Sequence, residues 1–238
     1  MPYLMAGFPD ESTSRAVADA CVDAGADLLE LGFPFSDPLA DGPAIHAAAV
    51  RALAGGGTVD GALRVCEAVA GRVPVVPMVY FNAILARGPT AFCATIRDAG
   101  AAGLIIPDLP HDEAGELREA CDRAGLALVP LAAPSTPESR LHELAEAARG
   151  FVYTVALAGT TGERDSLAVG LPDLVARVRS ASRLPVAVDF GVSTAEQAGR
   201  VAEFADGVIV GSRVVRAAGE GGAGAVRVVV SELAAALA

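Results

Sequence analysis

Short apolar runs alternate along the chain with longer, amphipathic, alanine-rich stretches. Several runs follow a glycine that closes such a stretch, as in residues 23–26 (DAGA), 98–101 (DAGA) and 123–126 (RAGL). Glycine just past a helix end adopts the left-handed cap conformation at little cost, so a helix is expected to end there and a strand to begin. Because the runs are apolar throughout, they are typical of parallel strands buried on both faces. The predicted strands are Pro2–Ala6, Asp27–Leu31, Val73–Tyr80, Ala102–Ile106, Ala127–Leu131, Phe151–Val155, Pro185–Val188 and Gly207–Val210.

Eight strand–helix units in a chain of 238 residues predict a (β/α)8 barrel, an α/β fold in which residues 1–238 form a single domain. The alternative is an open, doubly wound sheet, but no run is followed by the G-x-G-x-x-G pattern typical of that class. Two long segments follow predicted strands, residues 32–72 and 156–184. In a barrel, insertions at the carboxyl ends of strands build the active site.

The composition excludes several classes of function. The chain has 18 basic residues against 29 acidic ones, and its formal charge of −11 argues against nucleic acid or an anionic membrane as the main partner. All 18 basic side chains are arginine, and lysine is absent. Schiff-base chemistry, a lysine-bound pyridoxal phosphate and a Walker-type phosphate site are therefore excluded for this chain.

Cysteine and histidine positions give no sign of a metal site. The four cysteines lie far apart in the sequence without a C-x-x-C pair, which predicts free thiols in a reducing compartment. The three histidines have neither zinc-ligand nor catalytic-triad spacing. No secretion leader is recognisable at the start, and no apolar run is long enough to span a bilayer. These features predict a cytoplasmic protein.

Two carboxylates after the second predicted strand are candidates for acid/base chemistry. Glu30 interrupts an otherwise apolar strand, and burial there is expected to raise its pKa toward neutrality. A strand-end glutamate paired with an arginine explains the same pattern equally well. Asp41 lies in the following loop, where Asp-Gly-Pro is an ordinary turn sequence, so turn formation is the simpler interpretation of Asp41 alone. Together, the two could supply carboxylates in different environments, which is how acid and base roles become separated.

Glycine-containing loops follow the last three predicted strands. They read GTTG at residues 159–162, FGVS at 190–193 and GS at 211–212. Glycine lets backbone N–H groups approach an anion, and a short helix beginning at Ser212 is expected to point its dipole at the same place. Any one of these glycines is adequately explained as a chain turn. Three such loops at adjacent strand ends favour a phosphate site, as is common after strands seven and eight of barrels.

The few aromatic side chains fall at strands or their carboxyl ends, where they could line an apolar pocket. Each one by itself is better explained as core packing. They are Tyr3, Tyr80, Tyr153 and Phe190.

Residues 29–43, which read LELGFPFSDPLADGP, closely resemble the signature of the tryptophan synthase alpha subunit family. The resemblance covers nearly the whole chain and includes residues 6–9 (AGFP), 78–82 (MVYFN), 107–110 (PDLP), 161–162 (TG), 190–193 (FGVS) and 210–212 (VGS). It implies a (β/α)8 barrel that cleaves indole-3-glycerol phosphate into indole and glyceraldehyde 3-phosphate. It also implies a partner beta subunit in an alpha2beta2-type complex, with pyridoxal phosphate in that subunit and no cofactor or metal in this chain.

The resemblance implies a role for individual residues. Glu30 matches the catalytic glutamate that moves protons at the indole ring and the glycerol hydroxyl, and Asp41 matches the aspartate that binds the indole N–H. Thr161 matches the mobile-loop threonine beside that aspartate. The positions that match the phosphate site are Gly162, Gly191, Gly211 and Ser212. The positions that match the indole pocket are Tyr3, Tyr80, Tyr153, Phe190 and Ile209.

The sequence also departs from the family pattern. The family's helix before the first strand is missing, Asp189 stands where glycine is usual, and Arg213 stands where a small residue is common. The loop at residues 155–162 differs as well, at Ala156 and Thr160. The departures bear on loop closure and on activation by a partner, so two alternatives stay open. One is a stand-alone lyase that releases free indole, and the other is a catalytically weak module that activates a beta subunit.

Overall fold

The computed structural model describes residues 1–155, 170–189 and 191–238. Among the predicted site residues, Thr161, Gly162 and Phe190 lie outside these ranges, as does most of the loop at residues 155–162. The strands are β1 (Tyr3–Met5), β2 (Leu29–Gly32), β3 (Val75–Met78), β4 (Gly103–Ile105), β5 (Ala127–Val129), β6 (Leu131–Ala132), β7 (Val152–Val155), β8 (Val186–Asp189) and β9 (Gly207–Ile209).

All the strands pair in parallel, and their order closes a barrel. One run of hydrogen-bonded neighbours is β1-β2-β3-β4-β5 and the other is β6-β7-β8-β9. The two runs meet at Pro130, whose carbonyl accepts a hydrogen bond from Tyr153 N at 3.0 Å. At the other seam, Val210 O accepts from Tyr3 N at 2.9 Å, and Val210 N donates to Met1 O at 3.0 Å. The predicted (β/α)8 barrel is confirmed.

The predicted bounds of all eight strands were wrong by one or two residues at one or both ends, and three of the strands show why. Strand β2 begins at Leu29 rather than Asp27, and β8 extends one residue beyond the prediction, to Asp189. The predicted strand Ala127–Leu131 is divided into β5 and β6 at Pro130, because proline has no N–H with which to continue the ladder. The extension of β8 matters for function, because it places a carboxyl group at the mouth of the barrel.

Helices follow most of the strands and cover the barrel. Their bounds are α1 (Glu11–Asp23), α2 (Pro43–Ala54), α3 (Val59–Val69), α4 (Phe81–Leu85), α5 (Pro89–Asp98), α6 (Gly115–Ala124), α7 (Glu138–Ala147), α8 (Leu171–Ala181), α9 (Ala195–Ala202) and α10 (Ser212–Leu237), with a 3-10 turn at His111–Glu113. Helix α10 begins at Ser212 as predicted but is not short. It continues to Leu237 through a kink at Gly222, whose φ of 57° and ψ of −145° are not helical.

Successive side chains on each strand point alternately outward to the helices and inward to the barrel interior, and they form two separate apolar layers. Leu29 and Leu31 are buried between barrel and helices, where each contributes about 1.5–3 kcal/mol. Side chains of the opposite parity fill the barrel itself, among them Val76, Ile105 and Ile209. A titratable side chain in this inner layer is shielded from water. Its protonation state is therefore set by its hydrogen-bond partners and by neighbouring charges.

The four cysteines are free and buried. Folding brings Cys93 and Cys121 together, with their sulfur atoms 3.7 Å apart, although they lie on separate helices. None of the helices within the described ranges is long and apolar enough to cross a membrane. The described residues also contain no cluster of three or more metal-ligating side chains.

Candidate active site

Glu30 points into the barrel because of the two-residue period of its strand. Its neighbours Leu29 and Leu31 face the helices, so Glu30 faces the inner layer. The parallel register places it beside Tyr3 on β1 and Val76 on β3. The alternation that makes β2 a good barrel strand therefore also places a carboxyl group inside the barrel.

The surroundings of Glu30 favour its protonated form. The residue is 0% exposed, and its Oε1 atom has no hydrogen-bond partner within the described structure. Oε2 lies 3.5 Å from the Tyr153 hydroxyl. Burial, and then the negative charge of Asp189, raise the pKa of Glu30 well above its ordinary value of 4.5. No arginine in the described part of the chain pairs with Glu30, which rules out the alternative of a strand-end ion pair there.

A second carboxyl group, that of the partly buried Asp189, lines the same cavity at the end of β8. It accepts a hydrogen bond from the Tyr153 hydroxyl at 3.0 Å and another from the backbone N–H of Gly191. Burial raises the pKa of Asp189 to about 6, although both hydrogen bonds oppose this shift. Sequence analysis treated Asp189 only as a departure from a family pattern. The signal that singled out Glu30, a carboxylate at the end of an apolar run, was present here too.

Asp41 is held at the mouth by Tyr80. The Tyr80 hydroxyl donates to Asp41 Oδ1 at 2.9 Å and accepts from Ala40 N at 3.0 Å, and the ring of Phe35 stacks on Tyr80 with centroids 5.0 Å apart. Asp41 is partly buried and so wetter than Glu30, as expected. Even so, burial raises the pKa of Asp41, opposed by the Tyr80 hydrogen bond and by the charge of His46. Asp41 N also donates to Pro38 O at 3.1 Å and closes a turn at residues 38–41. The predicted turn at Asp-Gly-Pro was wrong in place, because Gly42 caps helix α2 and Pro43 begins it.

A glycine clears space for the tyrosine beside Glu30. A Cβ atom added at Gly32 would lie 1.9 Å from the Tyr3 hydroxyl oxygen, which is impossible without moving the ring. Glycine at the end of β2 thus lets Tyr3 lie over the strand. The Tyr3 side chain is buried, and it lines the same cavity as Glu30.

Two of the predicted phosphate-site loops meet at this mouth. Gly191 has a φ of 65°, a conformation that glycine adopts readily, and Gly211 caps the first turn of α10, which begins at Ser212. A Cβ atom at Gly211 would make only ordinary contacts, 3.5 Å from Ile45 and 3.7 Å from Tyr3, so local packing does not require glycine there. The first N–H groups of a helix lack partners within the helix, which makes this end suited to an anion.

One cavity at the carboxyl ends of the strands joins these groups. The predicted site residues that line it are Tyr3, Glu30, Asp41, Tyr153, Gly191, Ile209, Gly211 and Ser212. Tyr80 does not line it but contacts Asp41. The lining residues that sequence analysis missed are Asp189 and Ala40, Ile45, Met78, Pro107, Leu131, Val155 and Val192. Apart from Asp189 they are apolar or small, and nothing in the sequence separates such residues from the core.

The fold and site define a class: a (β/α)8 barrel with a buried carboxyl group and the N-terminus of a helix in one cavity at the carboxyl ends of its strands. A family model, that of the tryptophan synthase alpha chain, matches residues 1–236. The chain is 46% identical to the tryptophan synthase alpha chain of Mycobacterium avium (strain 104) over 98% of its own length and 86% of that protein. It is 46% identical to that of Synechococcus sp. (strain CC9902) over 91% and 81%.

Solved structures agree with this assignment. A Mycobacterium tuberculosis tryptophan synthase structure matches 99% of the chain and 91% of its own, with a TM-score of 0.95 and 42% identity. The tryptophan synthase a2b2 complex of the hyperthermophile Pyrococcus furiosus includes a chain that matches with a TM-score of 0.90 and 39% identity, over 98% and 96%. The chain belongs to the tryptophan synthase alpha chain family.

Proposed function

We propose that this chain is a lyase that cleaves indole-3-glycerol phosphate into indole and glyceraldehyde 3-phosphate, as the alpha subunit of a tryptophan synthase. The observation that carries the proposal is that Glu30, a fully buried carboxyl group with an unpartnered oxygen, shares one cavity with the glycine and helix-end cradle. A substrate with an indole ring at one end and a phosphate at the other would span the two.

The carboxyl groups can move the protons that this cleavage requires. Glu30 in its acid form gives a proton to C3 of the indole ring, while Asp41 accepts the ring N–H and stabilises the positive charge that develops. The Glu30 carboxylate then takes the proton of the glycerol hydroxyl on the carbon next to the ring. The bond from that carbon to C3 breaks, its electron pair returns to the ring, and the carbon becomes the aldehyde. One proton has moved from oxygen to carbon, and Glu30 regains its acid form.

The phosphate is held by backbone rather than by charged side chains. The chain is acidic overall and has no lysine, so the N–H groups at Gly211 and Ser212 must attract the anion against an unfavourable net field. Gly191 is proposed to join them, and its N–H, which donates to Asp189 in this structure, would then be shared between that carboxyl group and the phosphate. Gly162 is proposed to join them on the strength of the family resemblance. The ring is proposed to lie among Tyr3, Tyr153 and Ile209, which line the cavity, with Phe190 beside it. Tyr80 positions Asp41. On the strength of the family resemblance alone, Thr161 is proposed to act beside Asp41.

The partner is proposed to be a beta subunit that receives indole. That subunit would hold the pyridoxal phosphate, because this chain has no lysine with which to bind it. The partner surface is proposed at residues 34–38 and 80–82, beside which Leu39 is 92% exposed. This part of the proposal rests on the resemblance of the two segments to the family signature, since one exposed side chain does not make a contact patch. Both subunits are proposed to work in the cytoplasm.

Indole release from the purified chain, with and without a beta subunit, tests this proposal. We expect slow release by the chain alone and faster release with the partner, together with a complex on gel filtration. Equally fast release alone, with no complex, would favour a stand-alone lyase. Absence of release under both conditions would reject the enzyme, and a beta subunit activated by such an inert chain would identify a binding module.

A further inference from the structure

Asp189, at the end of β8, lines the cavity but has no role in the proposed reaction. The strand register pairs Asp189 with Val155 on β7 and Ile209 on β9, which both line the cavity. Its carboxyl group therefore enters the same space as that of Glu30, from a strand three places away around the barrel. A carboxyl group that is partly withdrawn from water is costly unless its surroundings stabilise it.

The Tyr153 hydroxyl joins the two carboxyl groups. It is 3.0 Å from Asp189 Oδ2 and 3.5 Å from Glu30 Oε2, so its single proton points to Asp189. Asp189 then accepts two hydrogen bonds, from this hydroxyl and from Gly191 N, whereas Oε1 of Glu30 has no partner within the described structure. Hydrogen-bond donors stabilise a carboxylate, so the negative charge belongs on Asp189 and the proton on Glu30. A protonated Glu30 can in turn donate to the Tyr153 oxygen.

We propose that Asp189 is a positioning residue for Glu30, whose negative charge and hold on the Tyr153 hydroxyl keep the proton on Glu30 in the acid form that cleavage needs. The inference rests on the proposed function and adds a second carboxylate to it. Two carboxyl groups that share one site do not both ionise readily, and the one with fewer donors keeps the proton.

Among the described residues, few other charged or titratable groups act on Glu30. Asp41 adds a further negative charge from the loop after β2, and the amino group of Met1, just before β1, opposes it. The hydroxyl groups of Tyr3 and Tyr153 face the carboxyl groups and stay neutral, because burial raises the pKa of each well above 10.0. Asp189 is the carboxylate with the largest effect on the pKa of Glu30 after burial itself.

The test is the pH dependence of kcat for indole release, measured with the beta subunit present, for wild type, Asp189→Asn and Asp189→Gly. Removing the charge is expected to shift the alkaline limb, where Glu30 loses its proton, to lower pH by about one unit or more. KM is expected to change little. Asp189→Gly checks the result if the asparagine variant folds poorly, and it is expected to shift in the same direction. Asp98→Asn, which removes an exposed charge on α5, is the matched control and is expected to leave the limb in place.

An alkaline limb that stays in place in both Asp189 variants would overturn the proposal. So would a change in KM without a shift of the limb, because it would make Asp189 part of the phosphate cradle beside Gly191. A second readout, the infrared band of the protonated Glu30 carboxyl group, does not depend on turnover. The band is assigned by its loss in Glu30→Gln. It is expected to disappear at lower pH in Asp189→Asn than in wild type. If wild type releases no indole, the proposed function fails, while this band still decides whether Asp189 controls the proton on Glu30.

Discussion

The two ends of the barrel are built from the same strands but shift carboxylate pKa values in opposite directions. The upper end is formed by the carboxyl ends of the strands, and the lower end by their amino ends. At the lower end, Asp206 accepts hydrogen bonds from Val186 N at 2.9 Å and from Arg179 at 2.7 Å, and these partners lower its pKa. Val186 begins strand β8, and Asp189 ends the same strand at the upper end of the barrel. There, burial raises the pKa of Asp189, as it raises that of Glu30. An exposed carboxylate that is paired with an arginine supports the fold, whereas a carboxyl group enclosed in a cavity without an arginine partner among the described residues is available for chemistry.

Cavity size does not distinguish the two ends. The lower end holds the larger cavity, about 640 Å³ against about 90 Å³ at the upper end. Its lining is mainly apolar, with side chains such as Val129 and Phe151, and its carboxylates, Asp27 and Asp206, are exposed or paired. The smaller cavity holds the polar groups that converge on one point. Lining chemistry therefore identifies the site, and substitutions at the two ends are expected to have different effects.

The largest effect is expected from Glu30→Gln. The amide keeps the shape of the side chain but has no proton to transfer, so kcat is expected to fall by the ~10²–10⁴-fold typical of general acid–base catalysis, with KM nearly unchanged. Steady-state kinetics of indole release measure both parameters. Asp206→Asn at the lower end is the control and is expected to keep kcat within about twofold of wild type. Near-normal release by Glu30→Gln would remove Glu30 from the mechanism.

Asp41→Asn is expected to have the next largest effect. Asparagine still accepts the Tyr80 hydrogen bond but loses the charge that stabilises the protonated ring, so kcat is expected to fall about 10²–10³-fold. In the double variant Glu30→Gln/Asp41→Asn, the fold-decrease in kcat is expected to be smaller than the product of the two single decreases, because both groups serve one proton transfer. Asp37→Asn, in the same loop and exposed, is the matched control, and both variants are measured in the chain alone because residue 37 lies in the proposed partner surface. Equal losses in Asp37→Asn and Asp41→Asn would mean that the loop, not the charge, is what matters.

Gly211→Asp is expected to act on binding. It places a carboxylate where the phosphate is proposed to lie, and KM is expected to rise about tenfold or more, or ~1.4 kcal/mol of binding free energy. Gly211→Ala adds only a Cβ atom, for which the structure has room, and is expected to raise KM much less. Substrate titration of both variants separates charge from bulk. If KM is the same for the two, the phosphate lies elsewhere.

The last expected effect is on stability as a function of pH rather than on activity. The pKa of Asp189 is about 6 in the folded protein against an ordinary value of 3.8, so the folded state holds the proton more tightly. The associated stability is fully present below pH 3.8 and is lost as pH rises through about 6, a change of about 3 kcal/mol at 1.36 kcal/mol for each pKa unit. Urea unfolding of wild type and Asp189→Asn at several pH values measures it. A wild-type curve no steeper than that of the variant would contradict this assignment.

The sequence predicted the barrel and the position of Glu30 because both depend on local pattern. Eight apolar runs separated by helix stops leave little choice of fold, and a lone carboxylate in such a run is conspicuous. Asp189 was missed as a site residue because the predicted strand ended at Val188, and a strand end is set by pairing with its neighbours. The contact from Tyr80 to Asp41 was missed for a similar reason. It joins residues 39 positions apart, and only the folded loop brings them together.

The central claim is that the upper end of the barrel performs the chemistry and the lower end supplies stability. The most direct test measures kcat and the free energy of unfolding for Glu30→Gln and Phe151→Ala side by side. Glu30→Gln is expected to lose kcat but not stability, because it removes a buried carboxyl group that lacks a partner. Phe151→Ala is expected to keep kcat and lose roughly 3 kcal/mol, at the low end for phenylalanine because the ring already borders a cavity. A Glu30→Gln variant that keeps its kcat, or a Phe151→Ala variant that loses it, would contradict the claim.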